Sequence, residues 1–305
     1  MKWTKKGLIY GPPGDSSWAR HSALQPTPLL KDDGRIRVFV GFRDDAGIGR
    51  VGFVDVSAEN PAEVLRVSER PVLDVGTPGA FDENGVVPCA VVEREGKLYL
   101  YYAGYQLGRK VKFYVFSGLA VSEDGGESFQ RQSRVPVCDR TDKELFFRVI
   151  HSIIREGGEW KVWYGGGSEY TMEGGKQLPN YNIRYTTSPD GLRLAEDFKV
   201  CVDMAGADEY RVGRPYVIKD GERYRMFYSA GTVSKGYRLA YAESADGINW
   251  SRQDREIGID VSESGWDSRM QAYPSVVAYR EKTYLFYNGN DYGRDGFGYA
   301  VLEHW

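Results

Sequence analysis

The 305-residue sequence predicts an all-β fold, a five-bladed β-propeller built from four-stranded antiparallel blades. Three observations predict it. A short apolar run entered through polar residues recurs five times. Each recurrence is followed by a tight polar turn and an aromatic strand. No helix-period segment of any length competes with this pattern.

The five apolar runs are "HSALQPTPLL" from His21, "ENGVVPCAVV" from Glu83, "FRVIHSIIRE" from Phe147, "RVGRPYVIKD" from Arg211 and "QAYPSVVAYR" from Gln271. Aligned on Pro28, Pro88, Ser152, Pro215 and Pro274, they recur at intervals of 60, 64, 63 and 59 residues, the scale of one propeller blade. Proline at an innermost strand is tolerable, because that strand has a hydrogen-bonded neighbour on one side only.

The second strands are "RVFVGF", "LYLYYAG", "WKVWYGGG", "YRMFYSAG" and "YLFYNG". They are reached through "KDDGR", "EREGK", "REGGE", "KDGER" and "YREK", which are hairpin turns by composition. Third strands follow as "GRVGFVDV", "VFSGLAVS", "YNIRYTTS", "YRLAYAES" and "FGYAVLE". The 22 Tyr and 37 Gly suit many short strands and tight turns.

Three third strands end in "SEDGGESF", "SPDGLRL" and "SADGINW". An Asp side chain closing its own turn explains these stretches, and they resemble the Asp-box turns of sialidase-like propellers. The last repeat stops without a fourth strand, and "WTKKGLIYG" near the N-terminus supplies one. The expectation is therefore a single domain over residues 1–305, with strand 3–10 completing the last blade and leaving no free edge.

Bulk properties narrow the function classes. The formal charge of −3 gives no reason to expect nucleic acid or an anionic membrane as a partner. No apolar run is long enough to cross a bilayer, and the start lacks the features of a secretion signal. Three cysteines without such a signal read as reduced thiols, so a cytoplasmic location is expected. Few histidines and no close acid–histidine spacing argue for no metal site, and no cofactor is expected.

In a propeller the residues entering the innermost strands converge on one face, a natural ligand funnel. Those residues are Arg20, His21 and Gln25 in the first repeat, and Asp82 and Glu83 in the second. Glu144, Arg148 and His151 enter in the third, and Glu209, Arg211 and Arg214 in the fourth. Asp267, Arg269, Gln271 and Tyr273 enter in the fifth. Arg43, Tyr105 and Asn290 are among the rim residues expected from the loops after the second strands. Guanidinium forks suit carboxylate or phosphate, so the partner expected here is a small anionic molecule. Mutual neutralisation of arginines and acids is the structural alternative.

"FDENGVVPCAVVEREGKLYLYYAG", "GRPYVIKDGERYRMFYSAG" and "YAESADGINW" resemble the five-bladed propeller glycosidases, the arabinanase-, invertase- and mannoside-phosphorylase-like enzymes. "EIGIDVSESGWDS" and "YNGNDYGRDGFGYAVLE" are similar to a cytoplasmic propeller group linked to polysaccharide biosynthesis. The resemblance implies glycoside hydrolase or phosphorylase chemistry by two carboxylates flanking a glycosidic bond. On this sequence those roles fall to Asp82, Glu209 and Asp267, with Glu83 a substitute for Asp82. Binding of an anionic or phosphate-linked glycoside falls to Arg20, His21, Gln25, Glu83, Arg148, His151, Arg211, Arg214, Arg269, Gln271 and Tyr273.

The sequence also departs from the family pattern. "HSALQPTP" has no acid at the first innermost strand, and Arg148 and Arg269 stand where carboxylates are expected. The alternative expectation is a repurposed propeller that binds or converts an acidic metabolite without glycosidase activity.

Overall fold

A computed structural model describes residues 1–305. Strand β1 (Lys2–Tyr10) is followed by β2 (His21–Leu30), β3 (Arg35–Arg43), β4 (Gly49–Ser57) and β5 (Val64–Val67). Next come β6 (Val86–Arg94), β7 (Lys97–Leu107), β8 (Phe113–Ser122) and β9 (Gln130–Arg131), then β10 (Phe147–Glu156), β11 (Glu159–Glu173), β12 (Lys176–Ser188) and β13 (Lys199–Val202). The chain continues through β14 (Glu209–Asp220), β15 (Arg223–Thr232), β16 (Gly236–Ser244) and β17 (Ser251–Arg252), and ends with β18 (Ala272–Tyr279), β19 (Lys282–Asn288) and β20 (Phe297–His304).

Hydrogen bonding follows chain order. Strands β2 to β5 form one antiparallel sheet, and β18, β19 and β20 form another, whose outer edge takes β1. Trp3 pairs with Leu302 and Tyr10 with Phe297 in that last ladder, so the N-terminal strand sits where the repeat pattern asks for it. The remaining strands form three antiparallel groups. Short parallel bridges join them, Phe147 to Val115 and Tyr181 to Arg211.

The first strands of the five groups meet side by side. Strand β2 touches β18 and β6, β6 touches β10, β10 touches β14, and β14 touches β18. The hydrophobic cores lie between successive sheets. Strand β7 shows how period-two geometry builds them. Leu98, Leu100 and Tyr102 face one way, into a core with Phe39, Val51 and Phe53. Tyr101 faces the other way, into a core with Ile150, Trp160 and Val162. Both faces of the strand are buried, so it reads as nearly continuous apolar sequence. Each large side chain removed from water contributes about 1.5–3 kcal/mol.

The Asp-Gly turns close as expected. Asp246 Oδ1 accepts the backbone N–H groups of Ile248 and Asn249 at 2.8 and 2.7 Å, and Ser244 Oγ accepts that of Gly247 at 2.9 Å. Asp190 accepts the equivalent pair from Leu192 and Arg193, and Asp124, in a turn one residue longer, accepts from Glu127 and Ser128. Gly247 has φ +77°, the left-handed conformation that such a turn needs.

The outermost strands are shorter than the sequence suggests. "FQRQSRVPV" yields only Gln130–Arg131, and "WSRQDREIGI" yields Ser251–Arg252 followed by a 3₁₀ turn over Asp254–Ile257. An outermost strand has a neighbour on one side only, and little apolar surface holds it there.

Candidate functional site

The site is built by β-bulges. Each of the five meeting strands slips register along its length: β2 between Leu24 and Thr27, β6 between Pro88 and Ala90, β10 between Ile150 and Ser152, β14 between Gly213 and Tyr216, and β18 between Ala272 and Ser275, with a second slip nearer the start of β2 and of β14. The extra residues at these slips include Gln25, Cys89, His151, Arg214 and Tyr273, which recur at intervals of 64, 62, 63 and 59 residues. A bulge re-aims a side chain and bends its strand.

Gln25, Arg214 and Tyr273 have φ of 53°, 56° and 59°. Each is followed by proline. A non-glycine residue in this region costs on the order of 1–3 kcal/mol, and such strain collects at functional sites. The alignment of the repeats is corrected at two places. The bulge falls at Gln25-Pro26 rather than at Pro28, and at Cys89-Ala90 rather than at Pro88, because the slip shifts the local register.

Arg214 ties these strands together. Its Nη1 donates to Cys89 O at 2.7 Å, and its Nη2 donates to Thr27 Oγ1 at 2.9 Å and to Pro26 O at 3.4 Å. Ser275 Oγ donates to the same Pro26 carbonyl at 2.8 Å. Gln25 N donates to Asn288 Oδ1 at 2.8 Å.

Two adjoining cavities open around this centre. The larger, about 260 Å³, is walled by Leu24, Tyr105, Phe113, Phe147, Tyr181, Tyr273 and Tyr292, with Arg43, Lys112 and Arg211 as its charged groups. Gln177, Leu178 and Pro179 close one side, carried there by the long hairpin of β11 and β12. The smaller cavity, about 40 Å³, adds His151, Arg214 and Tyr237 and shares Gln25, Tyr105, Phe147, Tyr181 and Tyr273 with the larger. No aspartate or glutamate lines either cavity.

Arg211 is 8% exposed and lies among phenol rings. Its guanidinium carbon is 4.3 Å from the Tyr237 ring centre, 4.6 Å from that of Tyr210, 5.7 Å from Tyr292 and 5.8 Å from Tyr181. Its Nη2 donates to Tyr292 Oη at 3.1 Å. Ring faces attract the cation. They do not neutralise it, and its charge faces the larger cavity without a carboxylate partner.

The acids expected at the site lie outside these walls. Asp82 is buried against Arg131 Nε at 2.7 Å and accepts from Tyr102 Oη at 3.0 Å. Glu209 takes a fork from Arg252, at 2.9 and 2.8 Å. Asp267 accepts from Lys5 Nζ at 2.9 Å and from Tyr287 Oη and Gln271 Nε2 at 3.0 Å each. Hydrogen bonds from Lys5, Ser262 and Gln271 outweigh the upward push of burial and hold the Asp267 carboxyl below the usual range. Glu83 accepts from Gly79 N at 2.8 Å.

Other expected ligand-binding groups are engaged elsewhere. Arg20 pairs with Asp45 at 3.2 Å, Arg148 with Glu144 at 2.7 Å and Arg269 with Asp291 at 2.8 Å. His21 Nδ1 is 2.8 Å from Ser22 Oγ. Gln271 is spent on Asp267. The structure thus brings Gln25, His151, Arg211, Arg214 and Tyr273 together at the cavities, with rim residues Arg43 and Tyr105. Sequence reasoning missed Phe147, Tyr181, Tyr237, Tyr292 and Lys112. The interval between bulge residues is the signal that finds the inner ring, but the aromatic walls carry no local sign.

No family model matches the chain. Uncharacterized protein Rv1502 of Mycobacterium tuberculosis (strain ATCC 25618 / H37Rv) is 35% identical over 303 residues, covering 99% of this chain and 100% of that protein. Uncharacterized protein MT1551 of Mycobacterium tuberculosis (strain CDC 1551 / Oshkosh) is 34% identical over the same length, with the same coverage. Among solved structures, a glycoside hydrolase superposes with a TM-score of 0.74 at 18% identity, over 99% of this chain and 92% of that one. A thermostable family-43 glycoside hydrolase gives 0.69 at 18%, over 96% and 91%. An α-L-arabinofuranosidase from Lactobacillus brevis gives 0.69 at 12%, over 92% and 90%. At these identities the likeness is one of fold: the chain has the propeller-type architecture of these glycosidases.

Proposed function

The chain belongs to the family of the Mycobacterium tuberculosis protein Rv1502, and we propose that it is a single five-bladed propeller domain whose central cavity binds a small anionic sugar or related acidic metabolite through Arg211. The mutual contacts of β2, β6, β10, β14 and β18 support the blade count, and the pairing of β1 with β20 supports closure by the N-terminal strand.

The observation that carries the ligand class is a buried guanidinium facing a cavity without a carboxylate. Arg211 has aromatic neighbours but no anionic one, and Arg43 and Lys112 add further positive charge to the same walls. An anion entering there gains a charge-assisted hydrogen bond in a low-dielectric setting. Phe147, Tyr181 and Tyr273 give the cavity aromatic walls against which a sugar ring can pack. At about 260 Å³ the cavity falls below the roughly 300–1,000 Å³ of drug-sized sites, which suits a single sugar acid or sugar phosphate.

The same walls argue against glycoside hydrolysis. That chemistry needs two carboxyls about 5–10 Å apart across the scissile bond. Asp82, Glu209 and Asp267 are each held by cationic partners outside the cavity. The geometry favours a propeller that binds an acidic metabolite.

Calorimetric titration with uronic acids, sialic-acid-type sugars, sugar phosphates and their neutral parents tests this. Acids bind and neutral parents do not, and Arg211→Met weakens acid binding at least tenfold while unfolding stays cooperative. The reading fails if Arg211→Met binds normally. It also fails if the protein turns over a glycoside and loses that activity in Asp82→Asn and Glu209→Gln.

A further inference from the structure

We propose that the small cavity where the five bulges meet is a binding site for a single halide-class anion, held by Arg214 and His151.

Arg214 is 2% exposed and permanently charged. Its partners are two backbone carbonyls and one hydroxyl, all neutral, and its Nε has none. A buried guanidinium without a counter-charge is among the most expensive groups a protein can hold. No acid lines the cavity, so the counter-charge has to come from outside the chain.

The polar walls are donors. Gln25, His151, Arg214, Tyr105, Tyr237 and Tyr273 each carry an N–H or O–H. His151 Nδ1 is buried and unpartnered. Burial, and then the charge of Arg214, pushes the His151 pKa well below its ordinary value, so the ring is neutral near pH 7 and donates one N–H. Two guanidinium groups nearby make the site hostile to a metal cation. The surrounding Ala103, Val115, Phe147 and Val149 keep it apolar, which strengthens the attraction for an anion.

Size sets the ligand class. A cavity needs about 10–15 Å³ to hold a water molecule. At about 40 Å³ this one has room for a monatomic anion and a water, but not for a sugar acid. The left-handed backbone at Gln25, Arg214 and Tyr273 fixes three of the walls by local conformation, so the ring does not depend on an organic ligand for its shape. The inference goes beyond the sugar-acid reading and stands if that reading falls.

The test uses the full chain, dialysed into methanesulfonate and crystallised, then soaked in bromide. Anomalous diffraction shows a bromine peak between Arg214 and His151. In solution, chloride and bromide raise the melting temperature over methanesulfonate at equal ionic strength, because they bind the folded state alone. Gln25→Glu places a carboxylate in the cavity. It stays folded, loses the bromine peak and melts at the same temperature in chloride and methanesulfonate.

Should that variant not fold, His151→Phe serves, with bromine occupancy at least tenfold lower at matched concentration. Absence of the peak from the native cavity, or bromine only on the protein surface, overturns the proposal. So does full occupancy in Gln25→Glu or in His151→Phe.

Discussion

Asp82 accepts a 3.0 Å hydrogen bond from the Tyr102 hydroxyl twenty residues along the chain. The relationship recurs. Asp267 accepts from Tyr287 at the same distance and the same separation. Each acid also takes a basic side chain carried by the outermost strand, Arg131 of β9 for Asp82 and Lys5 of β1 for Asp267. Arg252 of β17 plays that part for Glu209, and the nearby Tyr228 hydroxyl bonds Asp254, which also binds Arg252. An acid at the entry, a tyrosine on the second strand and a base on the fourth therefore staple a sheet across its width. The pairing of acids with bases, weighed from sequence as the alternative to catalysis, describes these groups.

Asp82→Asn leaves Arg131 without its carboxylate and weakens the Tyr102 bond. Breaking a buried pair from one side costs about 3–5 kcal/mol, and Arg131 remains partly in water, so the loss is near ~3 kcal/mol. A lowered urea midpoint with unchanged slope measures it. Binding of an acidic ligand at the cavity, which Asp82 does not line, stays within twofold.

Asp246→Ala opens the turn between β16 and β17. The carboxylate accepts two backbone N–H groups at 2.8 and 2.7 Å, and the variant strands both in a largely exposed turn where water replaces part of the loss. The expected cost is about 1–2 kcal/mol, read from the melting curve. The backbone bonds from Asn249 and Ile248 outweigh the opposing push of burial and hold this carboxyl well below the usual range. Its contribution is present above the ordinary aspartate pKa and is lost as pH falls toward the depressed value. The variant's deficit therefore shrinks in strong acid.

His151 sets a limb of the pH–stability curve. Burial, and then Arg214, lowers its pKa in the folded protein, whereas the unfolded chain protonates it near 6.5. Between the folded and unfolded values the unfolded state binds more protons, so stability falls as pH falls below about 6.5, by up to ~1.4 kcal/mol per pH unit. The contribution is complete above that pH. His151→Phe removes this limb. Denaturation at a series of pH values in methanesulfonate checks it through the difference between the two proteins, since surface carboxylates titrate equally in both.

Strand order, the hairpins, the Asp-Gly turns and the partner of the N-terminal strand were legible in the sequence, because each depends on local composition or on a period. Gln25, His151, Arg214 and Tyr273 were legible as entrants to the innermost strands. Their grouping apart from Asp82, Glu209 and Asp267 was not. In a plain strand, neighbours alternate between faces. The bulges at Gln25, Cys89, His151, Arg214 and Tyr273 interrupt that alternation, and a one-residue slip changes which side chain points inward.

The linear sequence by itself determined that one β unit recurs along this chain, with charged residues at the entrance of each copy. Tertiary structure alone decided which charges are spent on holding sheets together and which stay free. Counter-ions come from strands far away in sequence, Lys5 for Asp267 across 262 residues, while Arg211 meets only tyrosines. Whether a charge is neutralised depends on distances of a few ångströms in a low-dielectric interior, and those distances are fixed by packing between sheets rather than by spacing along the chain.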